Sequence, residues 1–438
     1  MIYINRFFFN IHDQFRKFYL NSKIYDNKIS KVNNNKLDYK PSPYLLSSII
    51  EYQKKKFKIE DFYVDQIWNK NNLSNKELKN LNNFYWFFSL DLKSSKEKIQ
   101  SLISNWIDKN EKYNKKIWDF DITSKRIISW LSCHNLTFEN SKKEYQGRFN
   151  FIIQKQTNHL INEINKSKKL NNKLIGCSAI ILVGLCYQNE KKYLSFGIDL
   201  LKKISKSDLD NFYFPKSRNF KQLLFYLKYF ILIREWFKES QINVPEYLEE
   251  TIYNLGQGYA FIGKNSGSNF LFNGNNKILK DDFENYLKRF GYNFKSEINE
   301  FGGYMILKNK KICLIMDTGD SPNLKFSEDY QAGVLSFEIF SNGKKLISNC
   351  GYYNKKNSDL NKISKSTAAQ STLVINDNSS CKFSKNGDFW LIKKGVKILK
   401  KENIFKKDYW KINASHDGYN KKYNTIHERD IEYYPEQF

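Results

Sequence analysis

Histidine is scarce here. The 438-residue chain carries five, so any imidazole chemistry rests on His12, His134, His159, His416 or His427. Cysteine is also sparse. The six cysteines, Cys133, Cys177, Cys186, Cys313, Cys350 and Cys381, are scattered without a C-x-x-C pair. That spacing excludes a disulfide frame and a cysteine-based zinc site, and leaves free core thiols. Long apolar runs are missing. The longest, LIGCSAIILVGLCY at 174–187, falls short of the roughly 20 residues of a membrane-crossing helix and fits a buried core helix. The opening, MIYINRFFFNIHDQFRKFYL, has no long apolar segment and no small-residue cleavage site, so no signal peptide is visible.

What the chain does have is apolar and aromatic content: 41% and 16% of its residues, enough for a packed interior. Its length suits two domains better than one core. Lysine and arginine together number 72 against 46 acidic residues, a net charge of +26. Abundant Lys, Asn, Ile, Phe and Tyr beside few Gly, Pro and Arg reads as the composition of an AT-rich genome, with most lysines on solvated helix faces. The surplus field still favours a polyanion partner. No zinc-finger, RNP or helix-turn-helix signature accompanies the charge, so nucleic acid is not the expected partner.

Periodicity divides the chain. Residues 1–42 form an N-terminal extension. From 43 to 260 apolar residues recur at three- and four-residue spacing. Expected helices cover Ser74–Leu92, Ser95–Lys109, Thr123–His134, Glu144–Lys166, Leu174–Tyr187, Tyr193–Ser205, Asn219–Lys238 and Pro245–Gly256. Short connections make neighbouring helices antiparallel. Residues 261–300 are a Gly-, Asn- and Ser-rich linker with a short helix, Asp281–Phe290. From 301 to 438 the period becomes two. Expected strands are Gly303–Lys308, Ile312–Asp317, Gly333–Phe340, Lys345–Asn349, Ser371–Ile375, Phe389–Lys393, Val396–Lys400, Tyr409–Ser415 and Thr425–Tyr433. Many short strands without intervening helices predict an antiparallel β-sandwich. The fold class is therefore α+β multidomain. The closing YYPEQF interrupts a strand-rich region, and an incomplete sheet is the expectation there.

Several motifs occur in an order that resembles the heparinase II/III family of polysaccharide lyases. NNFYWFFSLD (82–91), SNWIDKN (104–110) and IWDFDITSKRIISWL (117–131) resemble the Trp-rich start of its helical domain. NNKLIGCSAIILVGL (171–185) resembles the helix that opens with Asn-His. QAGVLSFEIFSNGKKLISNCG (331–351) resembles the strand pair with His-x-Asp-x-Leu-Ser-Phe-Glu, and STAAQSTLVINDNSS (366–380) the Ser-Thr-Ala-Ala-His-x-Thr segment. SHDGY (415–419) and IHER (426–429) add a weaker match.

The resemblance implies an N-terminal (α/α) toroid, a C-terminal β-sandwich across its cleft, and β-elimination on a uronic-acid polysaccharide. That reaction needs three things: neutralisation of the uronate carboxylate, a base for the C5 proton and an acid for the leaving oxygen. By resemblance Asn171 binds the substrate carboxylate. Asn172 stands where the family has His; it keeps a donor without a titratable proton, and with Arg218 and His416 it makes up the expected catalytic set. The family's tyrosine falls on Phe220, which exchanges no proton; Tyr213 and Tyr226 are nearby substitutes, although Tyr226 faces another side of a regular helix. Arg218 is a new cation for a carboxylate. Many relatives hold a metal through His, Asp and His; here those positions are Gln331, Asn349 and Gln370. Amides are poor zinc ligands, so no metal and no cofactor are expected, and Gln331 and Gln370 become substrate-binding amides.

His416 is the acid/base candidate and Tyr419, close by, a substrate-binding residue; the structural alternative for His416 is a hydrogen bond to Asp417 or backbone. His427, His159 and the stripe Phe84–Phe87 read first as sheet or core residues. His12 and His134 are structural or surface residues. The implied partner is an anionic polysaccharide, and the implied location is the cell envelope or periplasm. The alternative reading is a catalytically impaired glycan-binding protein on the same fold.

Overall fold

The computed structural model describes residues 14–33, 36–47, 58–59, 68, 73–167, 169–266, 270–275, 283–296, 298–355, 358–406 and 409–434. His12 and Asp281, the expected first residue of the linker helix, lie outside them. The chain divides into two compact units: residues 1–203 with 229–248, and 204–228 with 249–438. The second unit thus takes in 204–228 and 249–260, which periodicity alone groups with the helices.

The first unit is helical. Its principal helices are α1 (Lys23–Ile29), α2 (Asn75–Asn82), α3 (Lys96–Asn110), α4 (Phe120–Ser132), α5 (Lys143–Glu163) and α6 (Leu170–Cys186). To these it adds most of α7 (Lys191–Asp208) and the later part of α8 (Phe220–Glu239). Ser74 caps α2 in a reciprocal pair with Glu77, which satisfies otherwise orphaned N–H groups. The expected Ser74–Leu92 helix nevertheless breaks early: Phe84 turns left-handed at φ 58, and Tyr85–Ser89 continues as a 3-10 turn. α4 begins ahead of Thr123 because Asp119 caps it, accepting from the Asp121 N–H.

α6 is apolar on every side, and each residue from Leu174 to Cys186 is buried. Such a helix has to be surrounded. Gly184 permits the close approach of α7, since a methyl group there would strike the Leu194 backbone. Phe84 is fully buried and stacks edge-on against Phe87, Trp106 and Trp130, so most of the aromatic stripe is core.

The second unit adds α9 (Glu246–Ser266) and α10 (Phe283–Arg289), followed by strands. Five form one antiparallel sheet in sequence order: β1 (Glu300–Phe301), β2 (Tyr304–Lys308), β3 (Ile312–Asp317), β4 (Phe337–Ser341) and β5 (Lys344–Ile347). β6 (Lys382–Asn386) pairs with β7 (Phe389–Lys394), and β8 (Ile398–Phe405), β9 (Trp410–His416) and β10 (His427–Tyr433) make a sheet with β9 central. Met305, Leu307, Leu314 and Met316 from the first sheet share one core with Trp410, Ile412 and Ala414 from the third. The β2–β3 register, Met305 opposite Met316 and Leu307 opposite Leu314, aligns those side chains on one face.

Two expectations fail locally. Ser371–Ile375 is not a strand: the Ser371 hydroxyl bonds to Phe337 and that of Thr372 to Val334, which divert the chain from a ladder. Gly333–Phe340 begins as a strand only at Phe337, because Leu335 takes a left-handed conformation at φ 60. No described helix is long and apolar enough to cross a membrane.

Candidate functional site

In the helical unit, Asn171 and Asn172 occupy the first turn of α6. Asn171 is exposed and Asn172 half-buried. No side chain caps this helix, so its first N–H groups stay available and its positive end faces outward. Neither asparagine side chain has a hydrogen-bond partner among the described residues. They are presented to solvent, beside Lys169 and Lys173.

The second unit brings together Arg218, Gln331, Asn349 and Gln370, but as a buried network. Arg218, itself left-handed at φ 59, lies below the surface with its guanidinium over the Tyr304 ring. Nη2 donates to Asp317 Oδ1 and to the Gly303 carbonyl, both at 2.8 Å. Nη1 donates to Gly319 at 3.0 Å and Asp320 at 3.3 Å, and Nε to Gly302 at 3.3 Å. Every N–H of the fork has an acceptor. Burial works most strongly against the charge, but Asp317 together with Tyr304 and Tyr330 outweighs it and raises the Arg218 pKa. The expected substrate cation is instead a structural cation holding the turns at 302–303 and 319–320.

From Asp317 the network continues inward. Asn273 Nδ2 donates to Asp317 Oδ2 at 3.4 Å, and Asn273 Oδ1 accepts the Gln331 backbone N–H at 3.2 Å. Gln331 Oε1 accepts from Gly274 N, while its Nε2 donates to Ser364 O at 2.7 Å and Gly351 O at 3.0 Å. Gln370 Nε2 reaches the same Ser364 carbonyl at 3.0 Å. Asn349 is anchored through its own N–H by the buried Glu338 carboxylate at 2.9 Å, and its Oδ1 accepts from Ser371.

These residues do not fit a metal. Gln331 Oε1 and Asn349 Oδ1 already accept from N–H groups, and the amide nitrogens of Gln331 and Gln370 point N–H donors at a carbonyl. Asn349 Nδ2 is buried without a partner, and an amide N–H cannot ligate a cation. Gln331 is also almost fully buried. The expected substrate-binding amides are therefore interior braces.

His416 is also buried. Its Nδ1 accepts from the Gly418 N–H at 3.0 Å, and its Nε2 lies 3.1 Å from His427 Nδ1. This fixes the tautomers: His416 Nε2–H donates to His427 Nδ1, and both rings are neutral. Burial first, then the neighbouring His427, lowers the His416 pKa to about 4. Burial and Arg429 lower that of His427 to about 4. Tyr419 is buried with its hydroxyl donating to Leu373 O at 2.7 Å, and burial pushes its pKa up to about 12. The acid/base expectation for His416, and the substrate contact for Tyr419, give way to this enclosure.

The tyrosine substitutes fare no better. Phe220 packs on Tyr304 at 4.6 Å between ring centres. Tyr226 is buried, its hydroxyl donating to Asp208 at 2.9 Å. Tyr213 is half-buried, and burial and Glu250 both move its pKa upward, the wrong direction for a base.

A further feature lies in the helical unit: a cavity of about 220 Å³ lined by Trp118 and Phe120 of the 117–131 motif, by Tyr113 and His159, and by Arg16, Lys17 and Lys115. The residues are too dispersed along the chain for spacing to reveal it.

Comparison with known proteins places this architecture. Residues 300–437 match the heparinase II/III-like C-terminal family, in agreement with the resemblance read from the motifs at 331–351, 366–380 and 415–429. The fold is heparinase III-like. A crystal structure of heparinase III superposes with a TM-score of 0.62 at 15% identity, over 93% of this chain and 72% of that one. The heparan sulfate lyase HepC from Pedobacter heparinus gives 0.61 at 13% identity, over 94% and 67%. A curated protein, Ycf2 of Physcomitrium patens, is 26% identical over 346 residues, or 74% of this chain; the chain spans only 14% of that protein's length.

Proposed function

We propose that this protein binds an acidic, uronate-containing polysaccharide on a lyase-type scaffold, an (α/α) toroid followed by a β-sandwich, without carrying out elimination. The observation that carries the reading is the presentation of Asn171 and Asn172, amides without a side-chain partner among the described residues, at the N-terminus of α6. Amide N–H groups, helix N–H groups and Lys173 together neutralise a carboxylate. That meets the first of the three demands of β-elimination. The other two are unmet by the residues that resemblance would nominate. Phe220 has no proton to exchange, Tyr226 is bonded to Asp208, and His416 is enclosed.

Elimination itself is the second reading, favoured by the heparan sulfate lyase among the fold relatives. Tyr213 would then have to act as base.

The test is the affinity of the full chain for heparan sulfate and alginate compared with that of N171A/N172A. Loss of at least tenfold supports the assignment. Unchanged affinity with an unchanged melting temperature removes it.

A further inference from the structure

The geometry points to a second binding subsite in the helical unit: the cavity near His159 takes one anionic sugar ring. The class of ligand rests on the polysaccharide reading above; the pocket itself rests on separate observations.

Its floor is aromatic and rigid. Trp118 and His159 are buried, with ring centres 5.5 Å apart and nearly perpendicular. Phe120 stacks on His159, and Tyr113 lies 5.2 Å from it. His159 is fixed at both nitrogens, Nδ1 by the Tyr25 hydroxyl at 2.7 Å and the other by the Trp118 carbonyl. A floor of locked rings suits the apolar C–H face of a pyranose, as amphipathic aromatics do in binding sites.

Its rim is cationic. Lys17 and Lys115 are exposed. Arg16 uses Nε and Nη2 on Glu163 Oε2, at 3.0 and 2.6 Å, which leaves Nη1 without a partner among the described residues. Glu163 is further neutralised by Lys166 at 2.8 Å. Asp119, the acidic group in the lining, is turned to the α4 N-terminus, where it accepts the Asp121 N–H. Positive charge therefore dominates the mouth, and a fork edge is free for a carboxylate or sulfate.

Size selects the occupant. At about 220 Å³ the cavity is smaller than the roughly 300 Å³ where drug-sized pockets begin, so it holds a single ring and not a chain. Its place in the fold fits an extended ligand. Arg16 holds Glu163, the last residue of α5, and the short segment 164–169 leads from there to Asn171.

The experiment is calorimetric titration of the full chain with a heparan sulfate tetrasaccharide, an unsulfated oligouronate and neutral maltotetraose. It is repeated on K17E/K115E and on N171A/N172A. Both lysines are exposed, so the reversal leaves the melting temperature unchanged. Expected are binding of the anionic sugars, none of the neutral one, and at least tenfold weaker affinity with a flatter salt dependence in K17E/K115E. Binding of only one anionic sugar tells sulfate from carboxylate as the group recognised. Affinity lost in K17E/K115E but kept in N171A/N172A supports the pocket and removes the Asn171 assignment. Affinity within twofold of wild type in K17E/K115E, equal binding of maltotetraose, or no binding of either anionic sugar overturns the pocket.

Discussion

The side-chain amides of Gln331 and Gln370 donate to one acceptor, the carbonyl of Ser364, at 2.7 and 3.0 Å. Two positions to which the resemblance assigned metal-ligating histidines are thus joined through a backbone oxygen. The cluster braces the second unit and offers nothing to a zinc ion.

Gln331→Leu should therefore behave as a core lesion. It strips the Gln331 side chain from Gly351 O and Gly274 N, while Ser364 O keeps Gln370. Buried groups left unpaired cost about 1–3 kcal/mol each, so a loss of roughly 2–4 kcal/mol is expected in urea denaturation. Chelator, or added zinc, should leave the wild-type midpoint unmoved.

Arg218→Met should destabilise by about 3–5 kcal/mol, the usual consequence of removing one member of a buried ion pair and stranding Asp317. Below the unfolding transition its affinity for acidic polysaccharide should match wild type. Affinity lost without any change in stability would return Arg218 to the binding surface.

Acid should weaken the protein through the His416–His427 pair. Both pKa values lie at about 4 in the fold against an ordinary 6.5. Between those values the unfolded chain binds more protons than the native one. The stabilising contribution is complete above pH about 6.5 and is lost as pH falls toward 4. One imidazole contributes on the order of 3 kcal/mol over that window. H416N/H427N should show a shallower fall in stability between pH 6.5 and 4, without reaching zero slope, because buried His159 is depressed in the same direction.

These residues also show how far the sequence could be read. A helix with one apolar face, α3, and one that is apolar all round, α6, were both legible, and so was the switch to strands. Motif order was enough to indicate the family whose C-terminal part matches residues 300–437. Breaks that depend on one left-handed residue were not legible: Phe84 and Leu335 carry ordinary side chains at φ 58 and φ 60. β6, with only Phe383 apolar in KFSKN, offers no alternating pattern to find. The site was harder. Arg218 meets Asp317 across 99 residues, and a pairing at that separation leaves no periodic trace. A charge next to a motif reads as available until its partner is seen. His416 was recognisable as a titratable group, but its neutrality depends on the strand register that sets His427 opposite it.

The central claim, a lyase-type scaffold that holds acidic polysaccharide without cutting it, is tested most directly in one cuvette. The full chain is incubated with heparan sulfate at a concentration that saturates binding, and the ultraviolet absorbance of unsaturated uronate is followed. The account predicts measurable binding and a flat trace. A rise in absorbance proportional to protein concentration, abolished in N171A/N172A, would contradict it and establish elimination.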